Sequence, residues 1–131
     1  SYLNWRASLG SEPEQGTHRW QPAENVHVQV HHTDARDFGF DEIGMFDVIY
    51  FDPFDARENP DLWQPSFLER MHRVLKLHGR LVTYCVNRRV KEALREAGFE
   101  PRAVRGPKGG KRDVMIATQV GASAADDSLR V

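Results

Sequence analysis

Two aspartates stand where a reacting group would have to stand. Asp34 follows the alternating run Val26-His27-Val28-Gln29-Val30, and Asp52 follows the apolar run Phe46-Asp47-Val48-Ile49-Tyr50-Phe51. A carboxylate at a strand end accepts hydrogen bonds from an amine or a sugar hydroxyl, and it can orient or deprotonate an attacking amine. Aspartate also caps turns at such places, and both readings stand for both residues. If the two strands run parallel in one open α/β sheet, both acids point into the crevice beyond the carboxyl ends of the strands, where such sheets bind ligands.

The elements that must position them follow from spacing. Residues 1–9 fit a short helix with Tyr2, Trp5 and Leu9 near one face, and residues 10–24, with Gly10, Pro13, Gly16 and Pro22, read as loop. Val26 to Val30 has the period of a half-buried strand, whereas the continuous run Phe46–Phe51 fits a strand buried on both faces of a parallel sheet. Pro53 ends it. A stripe of Phe67, Leu68, Met71, Val74 and Leu75 predicts a helix, with Lys76, His78 and Gly79 as its basic last turn and stop. Arg80 to Val86 is a strand, 87–97 a second amphipathic helix closed by Gly98, and Phe99 to Val104 a further strand. The Gly106–Lys111 turn leads into a last strand, Val114 to Val120, and 121–131 is expected to be a disordered tail. The fold class is therefore α/β, with a mostly parallel sheet that ends in an antiparallel hairpin.

Composition narrows the class further. At 131 residues there is room for one domain, and no apolar run approaches the ~20 residues needed to cross a bilayer, so no membrane partner is expected. The first residues lack a signal-peptide pattern and Cys85 is the only cysteine, which sets the expectation of a reducing cytoplasm. Net charge is −1, yet residues 1–66 carry −8 and residues 67–131 carry +7, an asymmetry that suits contact with a phosphate backbone. Between Arg88 and Arg112 there are nine Lys/Arg against three Glu. Adjacent His31 and His32 point to opposite faces of a strand and cannot share one ion, so no metal is expected. Cys85 reads as a packing residue, Trp5 and Trp20 as core or surface anchors, and Gly106–Gly110 as a hairpin turn rather than a phosphate cradle.

The segment Phe46-Asp-Val-Ile-Tyr-Phe-Asp-Pro-Phe-Asp-Ala-Arg-Glu-Asn-Pro-Asp-Leu-Trp63 resembles the signature of the MnmC-like methyltransferase family. The resemblance continues through Leu75-Lys-Leu-His-Gly-Arg-Leu-Val-Thr-Tyr84, Val90 to Phe99 and Gly109-Gly-Lys-Arg112. Upstream, His31-His-Thr-Asp-Ala35 is similar to the family's Gly-Asp-Ala strand end. Together these cover roughly residues 25–120. The resemblance implies a partial Rossmann-like class I methyltransferase sheet, with residues 1–120 as the C-terminal part of the domain. It implies methyl transfer from S-adenosylmethionine to the aminomethyl nitrogen of the tRNA wobble uridine. On that pattern Asp52 holds and helps deprotonate the amine and also meets the cofactor, while Asp34 and Ala35 lie near its adenine. Phe54 and Trp63 shape the uridine pocket, and Lys111 and Arg112 contact tRNA phosphate.

The family pattern also includes a Gly-rich cofactor turn, and no Gly-x-Gly-x-Gly precedes residue 25. The expectation is a chain that starts after that turn, with Phe46–Phe51 as an open edge completed by a homodimer or by a complementing N-terminal segment. The family also occurs fused to a flavin-dependent oxidoreductase domain, which makes such a domain a further expected partner; nothing in this chain encodes one. Two other functions remain open at this point. One is methylation of a different nitrogen, since Asp52-Pro53-Phe54 is close to the Asp-Pro-Pro-Tyr/Phe edge of such enzymes. The other is a non-catalytic remnant serving as a binding or assembly module.

Overall fold

The computed structural model describes residues 16–110 and 112–121. The chain divides into two units, Ser1–Phe38 and Gly39–Val131, each considered by itself. The expected helix over 1–9 and the tail beyond Gly121 lie outside the described residues.

In the first unit, β1 (Gly16–Ala23) pairs antiparallel with β2 (Val26–His32). Most of 16–24 is therefore strand, not loop. Thr17 to Gln21 alternates in exposure, and its half-buried His18 and Trp20 pair with Val30 and Val28. Those cross-strand pairs outweigh the local punctuation. Pro22 falls inside a register shift between Trp20 and Ala23, where its missing N–H interrupts no regular ladder. Among the described residues β1 is the only ladder neighbour of β2. Among the described residues β2 and the 46–51 strand thus lie in separate sheets, and the condition of one shared parallel sheet is not met.

The second unit holds β3 (Phe46–Tyr50), a 3-10 turn (Pro60–Trp63), α1 (Pro65–Arg73), β4 (Leu75–Thr83), α2 (Arg88–Glu96), β5 (Phe99–Arg105) and β6 (Asp113–Gln119). The sheet order is β3-β4-β6-β5, with β3 and β4 parallel and the other two pairs antiparallel. The mixed α/β sheet and its closing hairpin agree with the sequence. Phe67, Leu68 and Met71 of α1 and Val90 and Leu94 of α2 bury helical stripes, and the core also takes in Leu75, Leu81, Met115 and Ala117 of the sheet. Asn87 starts α2 by accepting the Val90 N–H on its side-chain oxygen at 2.9 Å, a cap worth about 1 kcal/mol.

Two boundaries depart from expectation. Helix α1 stops at Arg73, because Leu75 already pairs with Phe46 and the Phe46 N–H donates to the Val74 carbonyl at 2.8 Å. Lys76 to Gly79 then form a bulge within β4, not a helix end: the register jumps from Leu75 to Arg80, and His78 adopts φ 66. A Cβ at Gly79 would sit 2.8 Å from the Lys76 carbonyl oxygen and 3.2 Å from that of Asp47. Strand β3 is also not buried on both faces. It lies at the sheet edge, so Ile49 and Phe51 turn inward while Val48 is 43% and Tyr50 82% exposed.

His72, on α1, meets the Phe99 ring edge-on at 5.1 Å, and its Nε2 is buried with no hydrogen-bond partner. Burial lowers its pKa from the ordinary 6.5, against the opposing pulls of the Gly98 backbone and Glu69. The fold thus favours neutral His72, and the unfolded chain takes up the proton first. Stability present above pH 6.5 is lost as the pH falls through 6.5 towards the lower folded value. Thermal melts should show an acid-side loss between pH 7.5 and 5 that is reduced in His72→Gln. Equal slopes in the two chains would refute the assignment.

Candidate active site at the carboxyl end of β3

The Phe51 N–H donates to the Val82 carbonyl at 2.8 Å, which carries the β3–β4 ladder one residue past Tyr50. The Phe51 ring is buried against Trp63 (5.0 Å, 81°) and Phe67 (6.0 Å, 33°). With Phe51 turned inward, Asp52 is turned outward and is exposed at the strand's carboxyl end. Pro53 then prevents further ladder pairing.

The loop that follows is built from its own backbone. Asp55 accepts the Arg57 N–H on its side chain at 2.9 Å, and its carbonyl accepts from Glu58 and Asn59 at 2.8 and 2.9 Å. The 3-10 turn brings Trp63 back beneath the loop, where the indole Nε1 donates to the Phe54 carbonyl at 2.9 Å. Trp63 is only 6% exposed, so it clamps the loop from inside, while the Phe54 ring is 73% exposed beside Asp52. Of the two aromatics expected to line a pocket, the structure places Phe54 at the surface and Trp63 under it.

Next to this end, Thr83 of β4 is buried and its hydroxyl accepts the Cys85 N–H at 3.3 Å. Cys85 lies within reach of the Asn87 amide, at 3.3 Å, and burial pushes its thiol upward, which keeps it protonated and a poor nucleophile. Tyr84, between them, is 59% exposed. The sequence reading did not single out Tyr50 or Tyr84. The available signal was strand alternation, hidden for Tyr50 by the continuous apolar run around it.

A cleft of about 220 Å³ lies on the other side of the loop, lined by Trp63, Gln64, Arg89, Glu92 and Glu96 among others. Asp52 and Phe54 do not line it.

Asp34 belongs to the first unit. Its carboxylate takes the Arg36 guanidinium at 2.7 to 3.2 Å and the Arg36 N–H at 2.9 Å. Arg36 holds the Asp34 carboxyl down to about 2. The residue thus forms the turn that follows β2, with Ala35 half-buried in it. Asp34 and Asp52 lie in different units and follow strands of separate sheets.

Arg112 is exposed at the end of the β5–β6 turn, and Lys111 lies outside the described residues. Arg88, Arg89 and Arg95 of α2 and Arg102 and Arg105 of β5 are exposed as well. Among the described residues there is no group of three His, Cys, Asp or Glu suited to a metal ion, and no helix long and apolar enough to cross a membrane.

Comparison with known proteins places this geometry. The tRNA 5-methylaminomethyl-2-thiouridine biosynthesis bifunctional protein MnmC of Chromohalobacter salexigens is 31% identical over 119 residues, covering 91% of this chain and 17% of that protein. The protein of the same name from Ralstonia nicotianae is 42% identical over 71 residues, covering 54% of this chain and 11% of its own length. The chain therefore spans a small part of these relatives. The crystal structure of MNMC2 from Aquifex aeolicus superposes with a TM-score of 0.64 at 21% identity, covering 97% of this chain and 40% of that one, and shows a shared fold. Residues 5–120 match the S-adenosyl-L-methionine-dependent methyltransferase family, and the chain belongs to it.

Proposed function

We propose that the chain is part of an N-methyltransferase that methylates the aminomethyl group of the tRNA wobble uridine, with residues 1–120 as its methyltransferase portion. The observation that carries this reading is the exposed Asp52 carboxylate, set at the carboxyl end of β3 by buried Phe51 and followed by a loop clamped through Trp63. An amine acceptor donates a hydrogen bond to Asp52, which aims its lone pair and takes the proton as the new N–C bond forms. S-adenosylmethionine, when bound, supplies a methyl group on a sulfonium, already an excellent leaving group. What the chain must add is therefore position, and Asp52 beside Phe54 supplies it.

The donor set suits the cofactor at Asp52, whose carboxylate is open. At Asp34 a cofactor amino group would have to share the carboxylate with Arg36, leaving Ala35 and the turn backbone as the closer fit. Lys111 and Arg112, with the exposed arginines of α2 and β5, are the phosphate contacts in this reading. The names of the relatives support tRNA as substrate. A cytoplasmic setting agrees with a lone, half-buried cysteine whose thiol burial pushes upward. A second copy, a complementing N-terminal segment or a flavin oxidoreductase domain completes the working enzyme in the same reading.

Incubation with S-adenosylmethionine and tRNA bearing the aminomethyl uridine should yield the methylated nucleoside by mass spectrometry. No product, even after the preceding methyltransferase segment is supplied, would favour the non-catalytic remnant. Asp52→Asn should lower turnover by about 100-fold or more at unchanged stability; full activity would remove Asp52 from the chemistry. Trp63→Phe keeps the buried ring but strands the Phe54 carbonyl, and should cost about 1–2 kcal/mol in denaturant unfolding. Arg112→Ala should weaken tRNA binding alike for all sequences and reduce the salt slope by about 1.

A further inference from the structure

Beyond Tyr50 the β3–β4 register can be followed to the site. Val48 pairs with Arg80, Ile49 with Leu81 and Tyr50 with Val82, and the Phe51–Val82 hydrogen bond continues the ladder. Carried two residues past the end of β3 and one past the end of β4, the same offset puts Tyr84 opposite Asp52. Exposure alternates in step: Ile49, Phe51, Leu81 and Thr83 face the helices, while Tyr50, Asp52 and Tyr84 are exposed. Two tyrosine rings therefore flank one carboxylate on one face, Tyr50 two residues before it and Tyr84 across from it.

Such a group has a definite preference. The faces of aromatic rings carry negative potential, and with a carboxylate beside them they attract a soft, weakly hydrated cation. Several of the chain's own cations are engaged elsewhere, while Arg80, paired with Val48, is exposed on the same face. Arg70 lies 5.4 Å over Phe40 and 5.5 Å over Phe67, Lys76 pairs with Asp47 at 3.4 Å, and Arg57 lies 3.8 Å from Asp55. Among the described residues no ion pair or cation–ring contact involves Tyr50, Tyr84 or Asp52. A tyrosine's hydroxyl also tolerates water at the ring's far end, which suits walls this exposed.

We propose that Tyr50 and Tyr84, each next to Asp52, form an open cage that binds an onium cation. The inference deepens the proposed function, on which it rests for the source of the cation but not for its binding. Two sources share the chemistry: the sulfonium of the methyl donor, and the protonated aminomethyl group of the acceptor before it gives up its proton.

The test is a proton NMR titration of the full chain with trimethylsulfonium, with neutral dimethyl sulfide as control. A saturable upfield shift of the sulfonium methyls, with matching shifts of the Tyr50 and Tyr84 ring signals, is expected only for the cation. Tyr50→Phe and Tyr84→Phe should retain it, and Tyr50→Leu and Tyr84→Leu should weaken it by about threefold or more. Because both side chains are exposed, the leucine variants should keep the wild-type melting curve, which makes the comparison fair. An unsaturable response, an equal response to dimethyl sulfide, or undiminished binding in the leucine variants overturns the cage. Two further arms identify the source. Tighter binding of S-adenosylmethionine than S-adenosylhomocysteine, equalised by Tyr84→Leu, assigns the sulfonium. Tighter binding of 5-aminomethyluridine than uridine, equalised likewise, assigns the ammonium. Preference in neither arm overturns the cage as a subsite of this enzyme. If trimethylsulfonium binds as expected and tRNA is not methylated, the functional reading falls and the cage stands.

Discussion

Phe51 is the last residue of β3 to hold a ladder hydrogen bond, and its ring is enclosed by Trp63 and Phe67. That enclosure sets the direction of everything after it. A strand alternates, so an inward Phe51 requires an outward Asp52, and a proline at 53 ends the pairing before the alternation can continue. The partner ring, Trp63, returns along the loop and fixes the Phe54 backbone through its indole nitrogen. One aromatic contact thus orients a carboxylate, ends a strand and closes a loop. A residue with a smaller side chain at 51 would loosen all three, because they share the same buried ring.

Much of this order can be read from the residues, and what cannot be read has a common cause. The helices are legible because Leu68 and Met71, or Val90 and Leu94, recur at helical spacing whatever surrounds them. Asp52 is legible as a candidate because an acid followed by proline after an apolar run has few structural settings. Burial of β3 on both faces was misread because an apolar run carries no record of how many neighbours its strand has. The β1 hairpin was missed because Gly16 and Pro22 punctuate its ends, while its pairing depends on Trp20 meeting Val28 across a turn. Gly79 looked like a helix stop. It is a place where the Lys76 carbonyl of the same bulge comes too close for a Cβ, and pairing with β3 brings the Asp47 carbonyl within 3.2 Å as well. The engagement of Asp34 by Arg36 is local and was within reach; the position of Asp52 relative to Tyr84 depends on register and was not.

The two edges of the four-stranded sheet are built differently. Strand β5 has Pro101 in its middle, which removes a donor, and exposed Arg102 and Arg105, which repel a like strand. Strand β3 has no such protection: beyond Asp47 its residues are Val48, Ile49 and Tyr50, without proline or a second charge. An edge that evolution leaves bare is usually one that is covered in the working protein. This asymmetry supports the proposal that a further strand completes the sheet on the β3 side and not on the β5 side. In that proposal the completing element lies on the side of the sheet that carries Asp52.

Charge is sorted along the same axis. Asp47, Asp52 and Asp55 lie on or just after β3, whereas Arg102, Arg105 and Arg112 lie on β5 and its turn, three strand spacings or about 14 Å away. That distance exceeds the Debye length of about 8 Å at physiological salt, so the two groups act on a ligand as separate fields. In the proposed function the phosphates of tRNA meet the basic edge, while the aminomethyl group is brought to Asp52, whose neighbours Asp47 and Asp55 are paired with Lys76 and Arg57. The separation of charge thus agrees with the proposed function, in which phosphate is held at one edge and an amine is handled at the other.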